Sequence, residues 1–157
     1  MISVLITGGT IAKRYDELSG ELVFDEDHLN NMLDQARSDT MLDIKTLMLK
    51  DSLNLDDADR ESIYDSVINT TNDKILITHG TDTMVQTAQK LSTIKKKTIV
   101  LFGAMIPYAF KKSDASFNLG FALCCVDLLD SGVYIAMNGK ILNWDSVQKD
   151  KKIGRFS

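Results

Sequence analysis

The sequence predicts a three-layer α/β protein, in which helices cover both faces of a mainly parallel sheet. Short apolar runs, typical of buried strands, alternate along the chain with longer segments whose apolar residues recur at helical spacing. The 157 residues contain no internal repeat and no low-complexity linker, so we expect a single domain over residues 1–157. The architecture predicted is that of Rossmann or flavodoxin-like folds.

The first half of the chain is expected to hold two core strands, one shorter strand and two helices. In order these are strand 2–7, a short strand or hairpin arm 20–24 after the polar loop 13–19, helix 27–36, strand 44–49 and helix 57–69. Asp25 is the predicted N-cap of the first helix, and Asn54 or Asp56 that of the second. Helical spacing gives the second helix an apolar stripe of Ile63, Tyr64, Val67 and Ile68.

The second half repeats the alternation and then changes character. We predict strand 74–78, helix 83–94, strand 98–102, a helix from about 113 to 130, and a hairpin of strands 133–137 and 140–142. Asn138-Gly139 is a strong signal for the turn of that hairpin. The helix 113–130 is apolar on nearly all sides, which indicates deep burial or a covering subunit and leads us to expect a homo-oligomer.

Composition excludes several classes of function. The net charge of −4 argues against a nucleic-acid partner, and we interpret the lysine runs 95–97, 111–112 and 149–152 as solvated turns. The most apolar segment, 119–126, is too short to span a bilayer, so no membrane is expected. Cys124 and Cys125 are adjacent and are expected to be reduced thiols, which favours a cytoplasmic location. With two histidines and no GxGxxG or GxxxxGK[ST] loop, neither a metal nor a nucleotide cofactor is expected.

Two threonine motifs follow predicted core strands and are the clearest functional signal. Thr7-Gly8-Gly9-Thr10-Ile11 ends the first strand, and His79-Gly80-Thr81-Asp82-Thr83 ends the strand 74–78. The carboxyl ends of parallel strands form the edge where open α/β sheets bind ligands, so both motifs are expected at one crevice. A tight turn for the first motif and a helix N-cap at Thr81 or Thr83 are the simpler structural interpretations.

Hydroxyls, a carboxylate and glycine-freed N–H groups are the components of acyl transfer from an amide. A threonine hydroxyl is a weak nucleophile until a base takes its proton. Asp82 beside a lysine from elsewhere in the chain could supply a proton relay, but composition does not identify the lysine. His79 is expected to be a hydrogen-bonded core histidine or a residue supporting the site.

The segments ITGGTI, ITHGTDTM and LFGAMIP, followed by DASFNL, resemble the amino-terminal domain of the bacterial-type L-asparaginases. A related amidotransferase subunit that acts on tRNA-bound intermediates shares this domain. The likeness runs from residue 3 to about residue 156, and implies the asparaginase amino-terminal fold without the carboxy-terminal domain of the family. The chain is then either a single-domain relative or a fragment.

The resemblance implies an amidohydrolase that converts the side-chain amide of L-asparagine, or a related small amide, to aspartate and ammonia without a cofactor. Thr10 matches the acyl-accepting nucleophile, and Thr81, Asp82 and Lys149 match a Thr-Lys-Asp relay. For the substrate, the resemblance implies that Ser52 holds the α-carboxylate, that Asp82 holds the α-ammonium group and that Gly80 lines the site. It also implies that Ala104 accepts a hydrogen bond from the leaving nitrogen, and that the N–H groups of Thr10 and Thr81 form the oxyanion hole.

Three positions depart from the family pattern. Members usually carry a tyrosine in a mobile loop near the nucleophile; here the loop is short, and Tyr15 is the candidate. Leu53 follows Ser52 where a polar residue is usual, and Ile106 replaces a basic residue before the proline. A second hypothesis is therefore a catalytically weak amino-acid-binding or regulatory module that needs a partner chain, and a third is an amidase subunit of a larger assembly.

Overall fold

The computed structural model describes all 157 residues and contains a six-stranded sheet with four helices. The strands and helices, in chain order, are β1 (Ile2–Gly8), β2 (Lys13–Asp16), β3 (Glu21–Phe24), α1 (His28–Gln35), β4 (Leu42–Lys50), α2 (Asp57–Asn69), β5 (Lys74–Thr78), α3 (Met84–Leu91), β6 (Thr98–Phe102), α4 (Ala115–Leu128), β7 (Gly132–Met137), β8 (Lys140–Asn143), β9 (Lys149–Asp150) and β10 (Arg155–Phe156). Short 3-10 turns occupy Thr10–Ala12 and Ser52–Asn54.

The main sheet has the strand order β4-β1-β5-β6-β7-β8. All neighbouring pairs are parallel except β7 and β8, which form an antiparallel hairpin. Helices α1 and α4 pack on one face and α2 and α3 on the other, each pair over its own buried apolar cluster. The predicted three-layer α/β class is confirmed. None of the helices is long and apolar enough to cross a membrane.

The central strands are continuous apolar runs because both of their faces are covered. Residues of β1 alternate between the clusters, with Val4 and Ile6 facing α1 and α4, and Leu5 facing α2 and α3. At full burial each such side chain contributes about 1.5–3 kcal/mol to stability, so this strand resists displacement at its carboxyl end. The loops that follow β1 and β5 therefore start from rigid positions.

Local signals in the sequence predict the turns and caps unevenly. The hairpin at Asn138-Gly139 is confirmed, with φ of 56° and 70° at the two turn residues. Asp56 caps α2 and forms a reciprocal capping box with Asp59, which decides between the two predicted caps. The predicted cap at Asp25 is wrong: Asp27 is at the N-cap position of α1, and the Asp25 carboxylate instead accepts from the Asp27 amide at 3.0 Å.

Several predicted boundaries differ because tertiary packing decides them. The polar loop 13–19 contains β2, which pairs with β3. Helix α3 ends at Leu91 and α4 spans Ala115–Leu128, so both are shorter than predicted. Ile68, assigned to the apolar stripe of α2, is 48% exposed.

Lys151 and Lys152 in the lysine-rich tail are exposed, as predicted, but other residues of the tail pack against the core. Strands β9 and β10 form a small antiparallel hairpin in which Phe156 is buried against the cluster under α2 and α3. Val147 is buried in the same cluster. The backbone N–H of Phe156 also donates to Asn138 Oδ1 at 3.0 Å, so the tail is attached to the turn of the β7–β8 hairpin.

Candidate functional site

The two threonine motifs lie in direct backbone contact at the carboxyl edge of the sheet. A Cβ on Gly9 would lie 2.4 Å from the Gly80 nitrogen, closer than a real Cβ can approach. Gly9 has φ of 79° and ψ of 178°, a conformation essentially restricted to glycine. Glycine at this position therefore permits both the turn after β1 and the contact with the second motif.

Thr10 is half-buried and begins the 3-10 turn that follows Gly9. Its position is fixed on both sides, because the Gly9 amide donates to Lys50 O at 2.9 Å and the Ala12 amide donates to Gly9 O at 3.1 Å. Thr10 is thus placed beside the second motif by backbone packing. Its predicted location at the same crevice as Thr81 agrees with this arrangement.

Ser52 begins the short turn that follows β4, lies against the second motif and is only 1% exposed. A Cβ on Gly80 would lie 2.6 Å from Ser52 Oγ, so glycine is needed for this contact also. Ser52 Oγ accepts a hydrogen bond from the Asp82 amide at 3.2 Å, and Ser52 O accepts one from the Thr83 hydroxyl at 2.8 Å. Thr83 is at the N-cap position of α3 but makes no side-chain cap, because its hydroxyl is used for Ser52.

Lys149 joins Thr81 and Asp82 through two hydrogen bonds. Its Nζ donates to Thr81 Oγ1 at 2.8 Å and to Asp82 Oδ1 at 2.7 Å. The Lys149 side chain is 10% exposed and that of Asp82 is 36% exposed. Lys149 is therefore an exception to the solvation predicted for most of the lysine runs, because the hairpin β9–β10 turns it inward.

A polar cavity of about 510 Å³ opens beside Asp82 and Lys149. The segment 144–149, including Trp144, forms one wall and the glutamines of α3 form the other. Asp82 and Lys149 thus line this cavity, whereas Thr81 does not and is only 6% exposed. Charge and hydroxyl groups face one another here with a lysine between them, an arrangement suited to proton transfer.

Ala104 follows β6 and is 1% exposed. The Asp114 carboxylate holds the loop that contains Ala104. Asp114 accepts hydrogen bonds from the backbone amides of Met105 and Ile106, at 3.0 Å each. Asn118 Nδ2 donates to Gly103 O at 2.9 Å and to Asp114 Oδ2 at 3.0 Å. Asp114 and Asn118 were not singled out individually from the sequence, although both belong to the DASFNL segment that carried part of the resemblance.

Tyr15 makes no side-chain hydrogen bond to another predicted site residue. It is on β2, 56% exposed, and its hydroxyl is 3.9 Å from where a Cβ on Gly20 would be, at the turn of the β2–β3 hairpin. The base of this hairpin is attached to the site by an ion pair between Lys13 and Asp51, the residue before Ser52. The role of Tyr15 beside the nucleophile stays a prediction.

His79 is completely buried and hydrogen-bonded at both ring nitrogens. Nδ1 lies 2.8 Å from Gly80 O, and Nε2 lies 2.7 Å from Thr87 Oγ1. Burial lowers the pKa of His79 to about 4, with the hydrogen bond to the Gly80 carbonyl opposing the shift and the nearby charge of Arg60 adding to it. The imidazole is therefore neutral near pH 7, which agrees with the predicted supporting role.

The fold and the site define a class: an α/β protein with hydroxyl, carboxylate and lysine groups gathered at the carboxyl edge of a parallel sheet. The chain matches the family described as Asparaginase, N-terminal, over residues 1–153. The match covers nearly the whole chain, and the chain belongs to this family of amidohydrolases.

Individual relatives agree with the family assignment. The chain is 31% identical over 157 residues to an L-asparaginase of Thermococcus kodakarensis, with 96% of this chain and 48% of that protein aligned. It is 32% identical over 153 residues to a glutamyl-tRNA(Gln) amidotransferase subunit of Methanococcus vannielii, with 89% and 34% aligned. The solved thermostable L-asparaginase of T. kodakarensis superposes with a TM-score of 0.89 at 31% identity, covering 99% of this chain and 50% of that one. The chain thus spans about half the length of these relatives, or less.

Proposed function

We propose that this chain hydrolyses the side-chain amide of L-asparagine, or of a related small amide, through a threonine nucleophile. The observation that carries the proposal is the pair of hydrogen bonds from Lys149 Nζ to Thr81 Oγ1 and Asp82 Oδ1. A threonine hydroxyl needs a proton acceptor before it can attack a carbonyl, and the relay supplies one. The close backbone contact between Gly9 and Gly80, each next to one of the two threonines, supports the pairing of Thr10 with that relay.

In the proposed reaction Thr10 Oγ attacks the carbon of the side-chain amide while its proton passes through Thr81 and Lys149 to the Asp82 carboxylate, the basic group of the relay. The N–H groups of Thr10 and Thr81 stabilise the oxyanion of the tetrahedral intermediate. The relay returns the proton to the nitrogen, which leaves as ammonia. Water then attacks the acyl ester on Thr10, releasing aspartate and restoring the hydroxyl.

The remaining site residues have substrate-binding roles in this proposal. The Ser52 hydroxyl holds the α-carboxylate, Asp82 holds the α-ammonium group, Gly80 lines the site, and Ala104 O accepts a hydrogen bond from the leaving nitrogen. A hydroxyl donor on Ser52 and a carboxylate on Asp82 recognise a zwitterionic amino acid, because each end of the substrate meets a complementary group. No metal or organic cofactor takes part in these steps.

Ammonia release tests the proposal. Purified chain is incubated with L-asparagine and, separately, with L-glutamine, beside Thr10→Ala and the control Thr93→Ala, which removes an exposed hydroxyl beyond α3. We expect release by the unmodified chain and by the control, and a loss on the order of 10³-fold or more in Thr10→Ala. Mass spectrometry of a trapped acyl intermediate identifies the nucleophile, and an acyl group on Thr81 would overturn the assignment of Thr10.

A second candidate is an amino-acid-binding or regulatory module that needs a partner chain to complete its site. It is favoured by the exposure of Leu53 and Tyr15, at 70% and 56%. An amidase subunit of a larger assembly is the related alternative, given the amidotransferase subunit among the relatives. Thermal stabilisation by L-aspartate without ammonia release would support this second group of functions.

We expect the protein to act in the cytoplasm. Cys124 is exposed and Cys125 is buried, and both thiols are free. Unpaired adjacent cysteines are typical of a reducing compartment. Labelling of Cys124 by a membrane-permeable but not by an impermeable thiol reagent in intact cells tests this expectation.

A further inference from the structure

The peptide between His79 and Gly80 is the point at which three loops of the site meet. A Cβ on Gly9 would lie 2.4 Å from the Gly80 nitrogen, and a Cβ on Gly80 would lie 2.6 Å from Ser52 Oγ. A Cβ on Gly103, in the loop of Ala104, would lie 2.3 Å from His79 O. A rotation of this one peptide would therefore displace the nucleophile loop, the Ser52 turn and the loop after β6 together.

The His79 imidazole holds the next peptide, the one between Gly80 and Thr81, from inside the protein. Nδ1 lies 2.8 Å from Gly80 O, and a carbonyl oxygen only accepts hydrogen bonds, so Nδ1 carries the proton. The ring is neutral because it is wholly buried, so Nε2 is an acceptor and the Thr87 hydroxyl, 2.7 Å away, donates to it. The Gly80 carbonyl thus sets the tautomer, and the Thr87 hydroxyl supplies the donor that the buried Nε2 acceptor then requires.

Thr87 lies on α3, which also contacts the site from its first turn. The Thr87 amide donates to Thr83 O at 3.2 Å, and the Thr83 hydroxyl donates to Ser52 O at 2.8 Å. Helix α3 is thus hydrogen-bonded to the end of β5 through His79 and to the Ser52 turn through Thr83. Both attachments converge on the segment that carries Thr81 and Asp82.

We propose that His79, oriented by Thr87, is a positioning residue that fixes the Gly80–Thr81 segment so that the relay with Lys149 assembles in line with Thr10. The proposal rests on the amide hydrolysis proposed above for its kinetic consequence, and on the geometry of His79 alone for its structural consequence. His79 contacts no substrate, and it acts through the carbonyl of Gly80.

Two variants of Thr87 separate positioning from general stability. Thr87→Val keeps the shape and β-branching but removes the hydroxyl that His79 Nε2 needs, whereas Thr87→Ser keeps the hydroxyl and removes a methyl group. Thr93→Val, the same change at an exposed position, is the control. We expect Thr87→Val to lower kcat about tenfold with a smaller change in KM, since an unsatisfied buried acceptor loosens the segment it held. Thr87→Ser is expected to recover most of the lost kcat despite its smaller side chain.

Hydrogen exchange of the Asp82 amide supplies a readout that does not depend on hydrolysis. This amide donates to Ser52 Oγ, so its protection reports whether the Gly80–Thr81 segment is in place. We expect about tenfold faster exchange of this amide in Thr87→Val than in Thr87→Ser, with core amides of β1 unchanged.

The outcomes distinguish this inference from the proposed function. Equal kcat and equal Asp82 exchange in Thr87→Val and Thr87→Ser overturn the positioning role, even if the unmodified chain is an active amidohydrolase. Absence of ammonia release by the unmodified chain, with faster Asp82 exchange in Thr87→Val alone, overturns the proposed function and supports the positioning of the segment by His79. If Thr87→Val and Thr87→Ser lose the same thermal stability and do not differ in kcat or in exchange of the Asp82 amide, Thr87 contributes packing alone. This result also overturns the inference.

Discussion

Replacing Gly9 by alanine tests the backbone contact that joins the two threonine motifs. The backbone angles of Gly9, φ 79° and ψ 178°, cost a residue with a Cβ about 1–3 kcal/mol. The added Cβ would also lie 2.4 Å from the Gly80 nitrogen, a backbone atom that cannot move aside without shifting β5. Overpacking of this kind costs about 1–3 kcal/mol more. We therefore expect Gly9→Ala to lower the free energy of unfolding by about 2–6 kcal/mol.

Gly20→Ala is the matched control for this prediction. Gly20 also has a positive φ, 74°, but the nearest atom to its Cβ position is the Tyr15 hydroxyl at 3.9 Å. Only the conformational cost applies, so we expect a loss of about 1–2 kcal/mol. Urea unfolding followed by far-UV circular dichroism measures both variants, provided that the slopes m agree. Equal losses in the two variants would refute the close contact between the motifs.

Four further predictions follow from the site and from the surface of α4. Lys149→Ala is expected to lose as much activity as Thr10→Ala, because the members of a relay act as a unit; a loss below about tenfold would mean that Lys149 is not in the relay. Ser52→Ala is expected to raise KM for L-asparagine with kcat nearly unchanged, and steady-state kinetics showing a fall in kcat alone would contradict carboxylate binding. Because burial lowers the pKa of His79 from 6.5 to about 4, the unfolded chain binds more protons than the folded chain between these values, and stability falls as pH falls. We expect a loss of about 1.6 kcal/mol between pH 6.5 and pH 5 in urea titrations, and stability independent of pH over this interval would show that the histidine is accessible to protons. Phe117 on α4 is 64% exposed, so we expect sedimentation velocity to give a dimer or larger species. Phe117→Lys is expected to shift this species towards monomer. Monomer alone at micromolar concentration would exclude the oligomer.

The parts of the fold that the sequence predicts well are those determined by short segments. The Asn138-Gly139 turn requires two consecutive residues with positive φ, and this dipeptide adopts them readily. The apolar run of β5 could belong only to a strand covered on both faces. In each case the signal and the structure lie within a few residues of each other.

The position of Lys149 could not be predicted from local signals. Its segment is polar and rich in lysine, a composition that is typical of a solvated turn. Only the resemblance to a known family assigned Lys149 to the site. The hairpin that turns it inward is stabilised by the burial of Phe156 against residues far away in the sequence. The predicted N-cap of α1 is a smaller failure. Either Asp25 or Asp27 is a chemically suitable cap, and the choice depends on how the chain leaves β3.

The reach of Lys149 across the chain has a consequence for folding kinetics. The bond from Lys149 to Thr81 joins residues 68 positions apart, whereas the relay partners Thr81 and Asp82 are neighbours at the end of a central strand. Closing so long a loop is entropically costly, and the two-residue strands of β9 and β10 offer few hydrogen bonds in return. The domain can therefore complete its sheet before the relay forms, and the same hairpin is the segment expected to open first under native conditions. Assembly of the relay is then a late and separately reversible event, with its own free energy, on a scaffold that is already folded.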